Sequence, residues 1–175
     1  MKNYLKGISM IVILVSSAEA KITSAKKIAV KTIEYSDGSI KKNGHRSWRN
    51  NNPGNLEYGN FTKSHGAIGT DGRFAIFPSM EDGYKAQVDL LKGEFYRNKS
   101  IKNALQIYAP SFENNTKSYI KAITKKIKVS SSKKIKNLSH KKLMGMVKEM
   151  AKQEGMKKGI HINKNMKSTI NKLIK

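Results

Sequence analysis

Apolar residues recur every three or four positions in the second half of the chain, which predicts a series of amphipathic helices. Ser79, with Asp82 three positions later, is expected to begin the first helix, which should continue to about Arg97. Ser100, then Asn114 or Asn115, and then Ser139 are expected to cap three more helices, the last of which should end at Gly155. The apolar positions that carry this pattern are Tyr84, Val88, Leu91, Phe95, Ile101, Ala104, Leu105, Tyr108, Tyr119, Ile120, Ile123, Ile127, Leu143, Met144, Val147 and Met150.

The first half of the chain has a different pattern. Residues 31–35 alternate between polar and apolar, a Ser-Asp-Gly-Ser turn follows, and Ile40 resumes the alternation, so a β-hairpin is expected. Glycines recur between residues 55 and 77, which predicts irregular structure with one or two short strands. Three polar segments are expected outside these elements: a flexible leader at residues 21–31, a mobile connector at 128–137 and a tail at 157–175 with a weak helix over 165–174.

These elements predict an α+β fold that is mainly helical and has a small N-terminal β element. We divide the chain into residues 1–20, a basic leader at 21–31, one domain at 32–156 and a basic tail at 157–175. After residues 1–20 are removed, about 155 residues remain, which is enough for one domain with a sizeable core.

Residues 1–20 have the pattern of a secretory signal peptide. A basic start is followed by an apolar run from Ile8 to Val15 and by small residues that end at Ala20. The run is too short for a permanent membrane anchor. We therefore expect a secreted or periplasmic protein that is cleaved near Ala20.

The chain is strongly basic, with a formal charge of +23. The predicted cleavage removes two lysines and one glutamate, so about +22 remains. Such a charge attracts anionic polymers, and for an exported protein the first of these are wall polymers rather than nucleic acid. The chain has no cysteine, and its four histidines are scattered, so we expect no disulfide, no metal and no cofactor. We expect a monomer.

The most informative segment is residues 46–58, RSWRNNNPGNLEY. Three consecutive Asn residues before Pro-Gly predict an irregular loop, because Asn amides compete for backbone hydrogen bonds. Many donors and acceptors beside Trp48 and Tyr58 suit a polar, hydroxyl-rich ligand such as a glycan. The alternative is a tight turn in which the Asn side chains only cap backbone groups.

Cleavage of a glycosidic bond needs a carboxylic acid beside the leaving oxygen, and the chain has few acidic residues. Glu57 follows the Asn-rich segment and is the first candidate, with a salt bridge to Arg46 or Arg49 as its alternative role. Glu81 is the second candidate, although a position in the first turn of a helix favours the ionised form. Asp71, or Glu34, is the candidate for a second carboxylate that positions water.

Several segments together resemble a domain family found in phage virion-associated proteins, endolysin-like proteins and secreted wall-degrading effectors. The RNNNPGN motif at residues 49–55 is the most specific of them. The resemblance covers residues 32–125 and, more loosely, residues 153–155. It rests on residues 32–38, 46–59, Phe61, 65–69, 72–78, 108–110, Glu113, Asn114 and Tyr119.

That family is similar to the lysozyme-like superfamily. The resemblance implies cleavage of the β-1,4 bond between N-acetylmuramic acid and N-acetylglucosamine in peptidoglycan, by a muramidase or a lytic transglycosylase. Glu57, Glu81 and Asp71 would then be the catalytic candidates. The residues expected to hold the glycan are Trp48, Arg49, Asn50, Asn51, Asn52, Asn55, Tyr58, Tyr108, Asn114 and Tyr119.

Three other functions compete with this one, of which an amidase or peptidase acting on wall peptides is disfavoured by the absence of cysteine and of clustered histidines. A non-catalytic wall-binding or virion-type structural module would bind peptidoglycan without turnover, and the chain lacks the long Glu-bearing helix that precedes the β element in many lysozyme-like enzymes. A binder of nucleic acid or membrane surfaces would act through charge alone and would be indifferent to the Asn residues.

Overall fold

The computed structural model describes residues 21–108 and 116–173. About 48% of the described residues are helical and about 16% lie in strands, so the predicted α+β class with predominant helix is confirmed. The predicted signal peptide, Glu113 and Asn114 lie outside the described residues. None of the described helices is both long and apolar enough to cross a membrane.

Four strands form an antiparallel sheet. The predicted hairpin is confirmed, because β2 (Thr32–Tyr35) pairs with β3 (Ile40–Lys42). The outer strands are β1 (Ala25–Ala29), which pairs with β2, and Ile160–Ile162 (β6), which pairs with β3. The order is therefore β1-β2-β3-β6.

The two outer strands come from segments that were expected to lie outside the folded elements. The segment predicted as a flexible leader contributes β1, and the predicted basic tail contributes β6. The helix predicted over residues 165–174 is confirmed as Lys164–Leu173 (α8). Both strands leave most of their residues exposed. The β1 sequence AKKIA does not alternate, and the alternating β6 sequence IHI is only three residues long, below the four to eight residues by which a half-buried strand is recognised. Backbone hydrogen bonds to the neighbouring strand hold them in the sheet.

The segment between the sheet and the helices is built from short elements. A one-turn helix, α1 (Arg46–Arg49), precedes the Asn residues, and α2 (Asn60–Ser64) follows them. The strands β4 (Gly69–Thr70) and β5 (Ala75–Ile76) then form a small hairpin, as predicted for this glycine-rich region. The short helix α2 was not predicted.

The helical half begins at Ser79, whose hydroxyl accepts a hydrogen bond from the Asp82 backbone amide, as its capping role predicted. The first helix ends at Gly93, earlier than predicted, and a separate turn of helix follows. Ser100 and Ser139 also accept hydrogen bonds from backbone amides three residues later. The helices are α3 (Met80–Lys92), α4 (Glu94–Arg97), α5 (Ile101–Tyr108), α6 (Thr116–Ile127) and α7 (His140–Gln153).

The connector at residues 128–137 is more ordered than predicted. It contains a turn of 3-10 helix, Ile135–Asn137, and the Ile135 side chain is fully buried. The backbone amide of Ile101 donates to the carbonyl of Lys133, which ties the connector to the start of α5. An apolar residue buried in the core thus fixes a segment whose Ser- and Lys-rich composition predicted mobility.

The main core lies among α3, α5, α6 and α7. A smaller group of Leu56, Ala75, Phe77 and Ala86 joins β5 and the segment after the Asn residues to α3. A third group of Ile33, Tyr35 and Ile76 joins the two sheets. The Asn-rich segment is therefore held between the sheets and the helices.

Candidate functional site

We call residues 50–55 the Asn loop. It follows α1 directly, and its backbone enters the left-handed region at Asn51 (φ 52°) and Asn55 (φ 47°). Asn tolerates this conformation better than other residues with a Cβ atom. The sequence Asn-Asn-Asn-Pro-Gly-Asn therefore fits the sharp reversal of the chain that the loop makes.

The side chains of Asn51 and Asn52 point into the protein. The Asn52 amide nitrogen donates to the carbonyls of Leu56 and Ala75, both at 2.9 Å, and its oxygen accepts from the Leu56 amide at 2.9 Å. The Asn51 amide nitrogen donates to the carbonyls of Phe77 (3.0 Å) and Pro78 (2.9 Å), and its oxygen accepts from Lys41.

These bonds correct the expected role of Asn51 and Asn52 in sugar binding. Both residues are buried, and all their amide hydrogens are donated to backbone carbonyls. They hold the Asn loop to β5 and to the start of α3. The alternative interpretation, in which Asn side chains cap backbone groups, therefore applies to these two residues.

Trp48 is also buried rather than displayed to a ligand. The Lys41 ammonium lies 4.9 Å from the centre of its ring and donates to its carbonyl oxygen. Burial, with a smaller effect of the Lys158 charge, lowers the pKa of Lys41 to about 8. The expected stacking of a sugar on Trp48 is therefore corrected to a structural role in which Lys41 covers the ring.

The two predicted glutamates are ion-paired at the surface. Glu57 accepts from both the Nε (2.8 Å) and the Nη2 (2.6 Å) of Arg73, and its side chain is 64% exposed. The salt-bridge alternative thus describes Glu57, although its partner is Arg73 instead of Arg46 or Arg49. Glu81 lies 3.6 Å from the Lys148 ammonium of α7. Tyr58 and Asn55 are exposed close to Glu57 in the chain.

Asp71 is the predicted carboxylate whose side chain is partly buried and bonded at both of its oxygens. Its Oδ2 accepts from the Asn50 amide at 3.0 Å and lies 3.2 Å from the Arg46 Nε, and its Oδ1 accepts from two backbone amides. Burial alone would raise its pKa, but the hydrogen bonds from Phe74, Asn50 and Arg73 and the charge of Arg46 hold the pKa below its ordinary value. Asp71 is therefore ionised at neutral pH.

Around Asp71 lies a cavity of about 430 Å³, which we call the cationic pocket. This volume is within the range of about 300–1,000 Å³ typical of small-molecule sites. Its polar lining consists mainly of five cationic side chains around Asn50 and Asp71. The cations are Lys27, Lys31, Arg46, Arg49 and Arg73.

A second arrangement, which we call the tyrosine–glutamate cluster, consists of Gln87, Tyr108, Tyr119 and Glu154. The Tyr108 hydroxyl donates to the carbonyl of Gly54 in the Asn loop at 2.7 Å and accepts from the Gln87 amide at 3.1 Å. The Tyr119 hydroxyl donates to the Glu154 carboxylate at 3.2 Å. Tyr108 and Tyr119, predicted from the sequence, are thus brought together beside the Asn loop.

Glu154 is the functional candidate that the sequence analysis missed. It caps the C-terminus of α7, where the helix dipole disfavours negative charge. Burial of the carboxyl raises its pKa to about 7, and the hydrogen bond from Tyr119 opposes this rise. The residue as a whole is exposed, so water also reaches it and reduces the effect of its burial on stability.

The raised pKa of Glu154 predicts a pH-dependent effect of Glu154→Gln on stability. Between about pH 4.5 and 7 the unfolded chain ionises at this position and the folded protein resists ionisation, so the wild type loses stability as the pH rises. Glu154→Gln should therefore match the wild type at pH 4 and exceed it at pH 8 by roughly 1 kcal/mol, after allowance for the exposure of the residue.

Thermal unfolding of both proteins at the two pH values measures this difference. Glu94→Gln, which changes a side chain that is 98% exposed on α4, is the matched control. A variant less stable than the wild type at pH 8 would contradict the raised pKa.

Within residues 21–108 and 116–173, no three His, Asp or Glu side chains are placed to hold a metal ion. Comparison with models of known protein families and with curated protein sequences finds no match to this chain. The Asn loop, the cationic pocket and the tyrosine–glutamate cluster are therefore the features of the molecule that bear on its function.

Proposed function

We propose that this protein is a secreted enzyme of lysozyme-like type that cleaves the β-1,4 glycosidic bond between N-acetylmuramic acid and N-acetylglucosamine. Glu154 takes the role of general acid that the sequence analysis gave to Glu57. The observation that carries the proposal is the Glu154 carboxyl, with a pKa raised to about 7, in a cluster that also contacts the Asn loop.

The chemistry requires a carboxylic acid that is still protonated near neutral pH. A glycosidic oxygen leaves readily only when it receives a proton as the bond breaks, and an acid with a pKa near the working pH is the most effective donor. Among the carboxyl groups of the described residues, only that of Glu154 has a pKa raised to about 7. Asp71 remains ionised, and Glu57 and Glu81 are held in surface ion pairs.

The Asn loop connects the proposed acid to the cationic pocket. Asn50 lines that pocket, and four residues later the Gly54 carbonyl accepts the hydrogen bond from Tyr108. A Cβ atom at Gly54 would lie 2.6 Å from the Tyr108 hydroxyl and 2.8 Å from the Gln87 Cδ, so the glycine permits this close approach. The internal bonds of Asn51 and Asn52 fix the loop, and such support from rigid neighbours is what a catalytic group needs.

Digestion of purified peptidoglycan sacculi tests the proposal. The wild type should release soluble muropeptides, which mass spectrometry identifies and assigns to hydrolysis or to the lytic route by the absence or presence of an anhydro end. Glu154→Gln should lower the rate at least about 100-fold, because it removes the proton donor and retains an acceptor for Tyr119. Glu94→Gln on α4 should keep the wild-type rate.

Two results would contradict the proposal. A wild type that releases no muropeptides, under conditions where a control lysozyme does, would exclude the enzyme. Full activity of Glu154→Gln together with loss of activity in Glu57→Gln would move the general acid back to Glu57.

The second candidate function is a wall-binding module without turnover. The ion pairs of Glu57 and Glu81 and the negative charge of Asp71 at neutral pH favour it, since none of these carboxylates suits a proton donor. It predicts that wild type and Glu154→Gln sediment equally with sacculi and that neither releases soluble fragments.

A further inference from the structure

We propose that the cationic pocket is the subsite that binds the acidic sugar of the glycan strand. In this assignment, which rests on the proposed function, the carboxylate of the lactyl group of N-acetylmuramic acid lies between Arg46 and Arg49. The acetamido N–H of the same sugar donates to the side-chain oxygen of Asn50.

The first support is an unused acceptor. Asn50 is fully buried, its amide nitrogen donates to Asp71, and its Oδ1 has no hydrogen-bond partner among the described residues. A buried polar atom without a partner costs about 1–3 kcal/mol, so such atoms often mark a place where a ligand supplies the missing group. An acceptor requires an N–H or O–H, which an acetamido sugar provides.

The second support is the excess of positive charge. Five cationic side chains and one carboxylate line the pocket. The one carboxylate, Asp71, is already surrounded by four hydrogen-bond donors. Glu57 lies outside the lining but pairs with Arg73, so Asp71 and Glu57 together offset two of the five cations and leave three. An anion is the ligand that would balance this excess.

The third support is the orientation of the guanidinium groups. The Arg46 guanidinium carbon lies 4.5 Å from the centre of the Phe74 ring, and that of Arg73 lies 4.9 Å from the same centre. Asp71 holds the Nε of Arg46, whereas the terminal nitrogens of Arg46 have no partner among the described residues. A planar group that is fixed at its base and free at its tip is well suited to a carboxylate.

Arg49 adds a buried cation. It is 9% exposed, and its Nη1 donates to the carbonyls of Asn43 and Gly44. Burial, and then repulsion from Arg46, lower its pKa. The negative charge of a bound anion would oppose both effects, so occupancy of the pocket should stabilise the charged form of Arg49.

Titration calorimetry with single sugars tests the assignment on the whole mature chain. The wild type should bind N-acetylmuramic acid at least 10-fold more tightly than the neutral N-acetylglucosamine. Arg46→Gln should remove most of this difference. Arg97→Gln, on α4 and paired with Glu94, is the matched control and should change affinity less than 2-fold.

A measurement on the wild type makes the test independent of whether the Arg46 variant folds. The side-chain amide signal of Asn50 in NMR spectra should shift during titration with N-acetylmuramic acid. The signal of Asn52, whose amide is bonded to Leu56 and Ala75, should not. Shifts at neither amide, or equal shifts at both, would overturn the assignment.

Other outcomes separate this inference from the proposed function. Equal affinity for the two sugars, or tighter binding of glycerol phosphate than of N-acetylmuramic acid, would overturn the sugar assignment even if sacculi are cleaved. Binding of N-acetylmuramic acid needs no turnover, so Glu154→Gln should retain it. Retained, Arg46-dependent binding in a protein that releases no muropeptides would support the subsite and contradict the enzyme.

Discussion

Gly83→Ala should destabilise the protein by about 3 kcal/mol or more, although alanine at a helical glycine usually stabilises by about 1 kcal/mol. A Cβ atom at this position of α3 would lie 2.0 Å from the Asn51 carbonyl oxygen and 2.7 Å from the Pro53 Cδ. Both atoms belong to the Asn loop, whose backbone is fixed by the Asn side chains. The clash therefore has to move the helix away from the loop. Chemical denaturation of the wild type and the variant measures the loss.

Gly145→Ala is the matched control, because it changes a glycine in the middle of another helix, α7. There the new Cβ would meet the Ile127 Cγ2 at 3.4 Å, an ordinary contact, so helix propensity should prevail and give a gain of up to about 1 kcal/mol. Equal effects of the two substitutions would contradict the close approach of α3 to the Asn loop.

Asn52→Ala should cost about 4 kcal/mol of unfolding free energy, since it removes three hydrogen bonds and leaves buried backbone groups of Leu56 and Ala75 without their partner. If Asn52 instead held a sugar, the substitution would leave stability nearly unchanged and would weaken ligand binding. Thermal and denaturant unfolding, measured without ligand, distinguish the two roles.

Asn55→Gly is the control within the same loop. Asn55 is exposed and has a positive φ, which glycine adopts freely, and its side chain makes no hydrogen bond to another described residue. The substitution should change the free energy of unfolding by less than about 0.5 kcal/mol. A large loss at Asn55 and a small loss at Asn52 would reverse our assignment of the loop side chains.

The sequence predicted the helical half well because its signals are local. A serine cap is decided by one side chain and a backbone amide three residues away, and Ser79, Ser100 and Ser139 all make this bond. The 3.6-residue repeat likewise depends on neighbouring turns of one helix. The helix α3 ends before Gly93. The prediction continued past this residue because the apolar repeat continues across it to Phe95.

Strands β1 and β6 were missed because they lack a local signal. Their partners are selected by backbone hydrogen bonds from strands elsewhere in the chain. The β1 sequence does not alternate between polar and apolar residues, and the alternation in β6 covers only three residues. The Lys-rich composition of these segments indicated a leader and a tail, because composition carries no information on which backbone groups pair.

The direction of a side chain was the other unpredictable property. Three consecutive Asn residues look equivalent in sequence. The side chains of Asn51 and Asn52, however, donate to backbone carbonyls inside the protein, whereas Asn50 lines the cationic pocket. Glu154 was seen only as part of the loosely matching end of the resemblance. Its raised pKa arises from burial, against the opposing hydrogen bond from Tyr119, which is 35 positions away in the chain.

The pairing of β3 with β6 joins residues that lie roughly 120 positions apart in the chain. During synthesis, therefore, the outer edge of β3 has no partner until roughly 120 further residues have been made. Lysines at positions 41 and 42 give that edge charge, which discourages a neighbouring nascent chain from pairing there first. The sheet can therefore be completed only after β6 is available to pair.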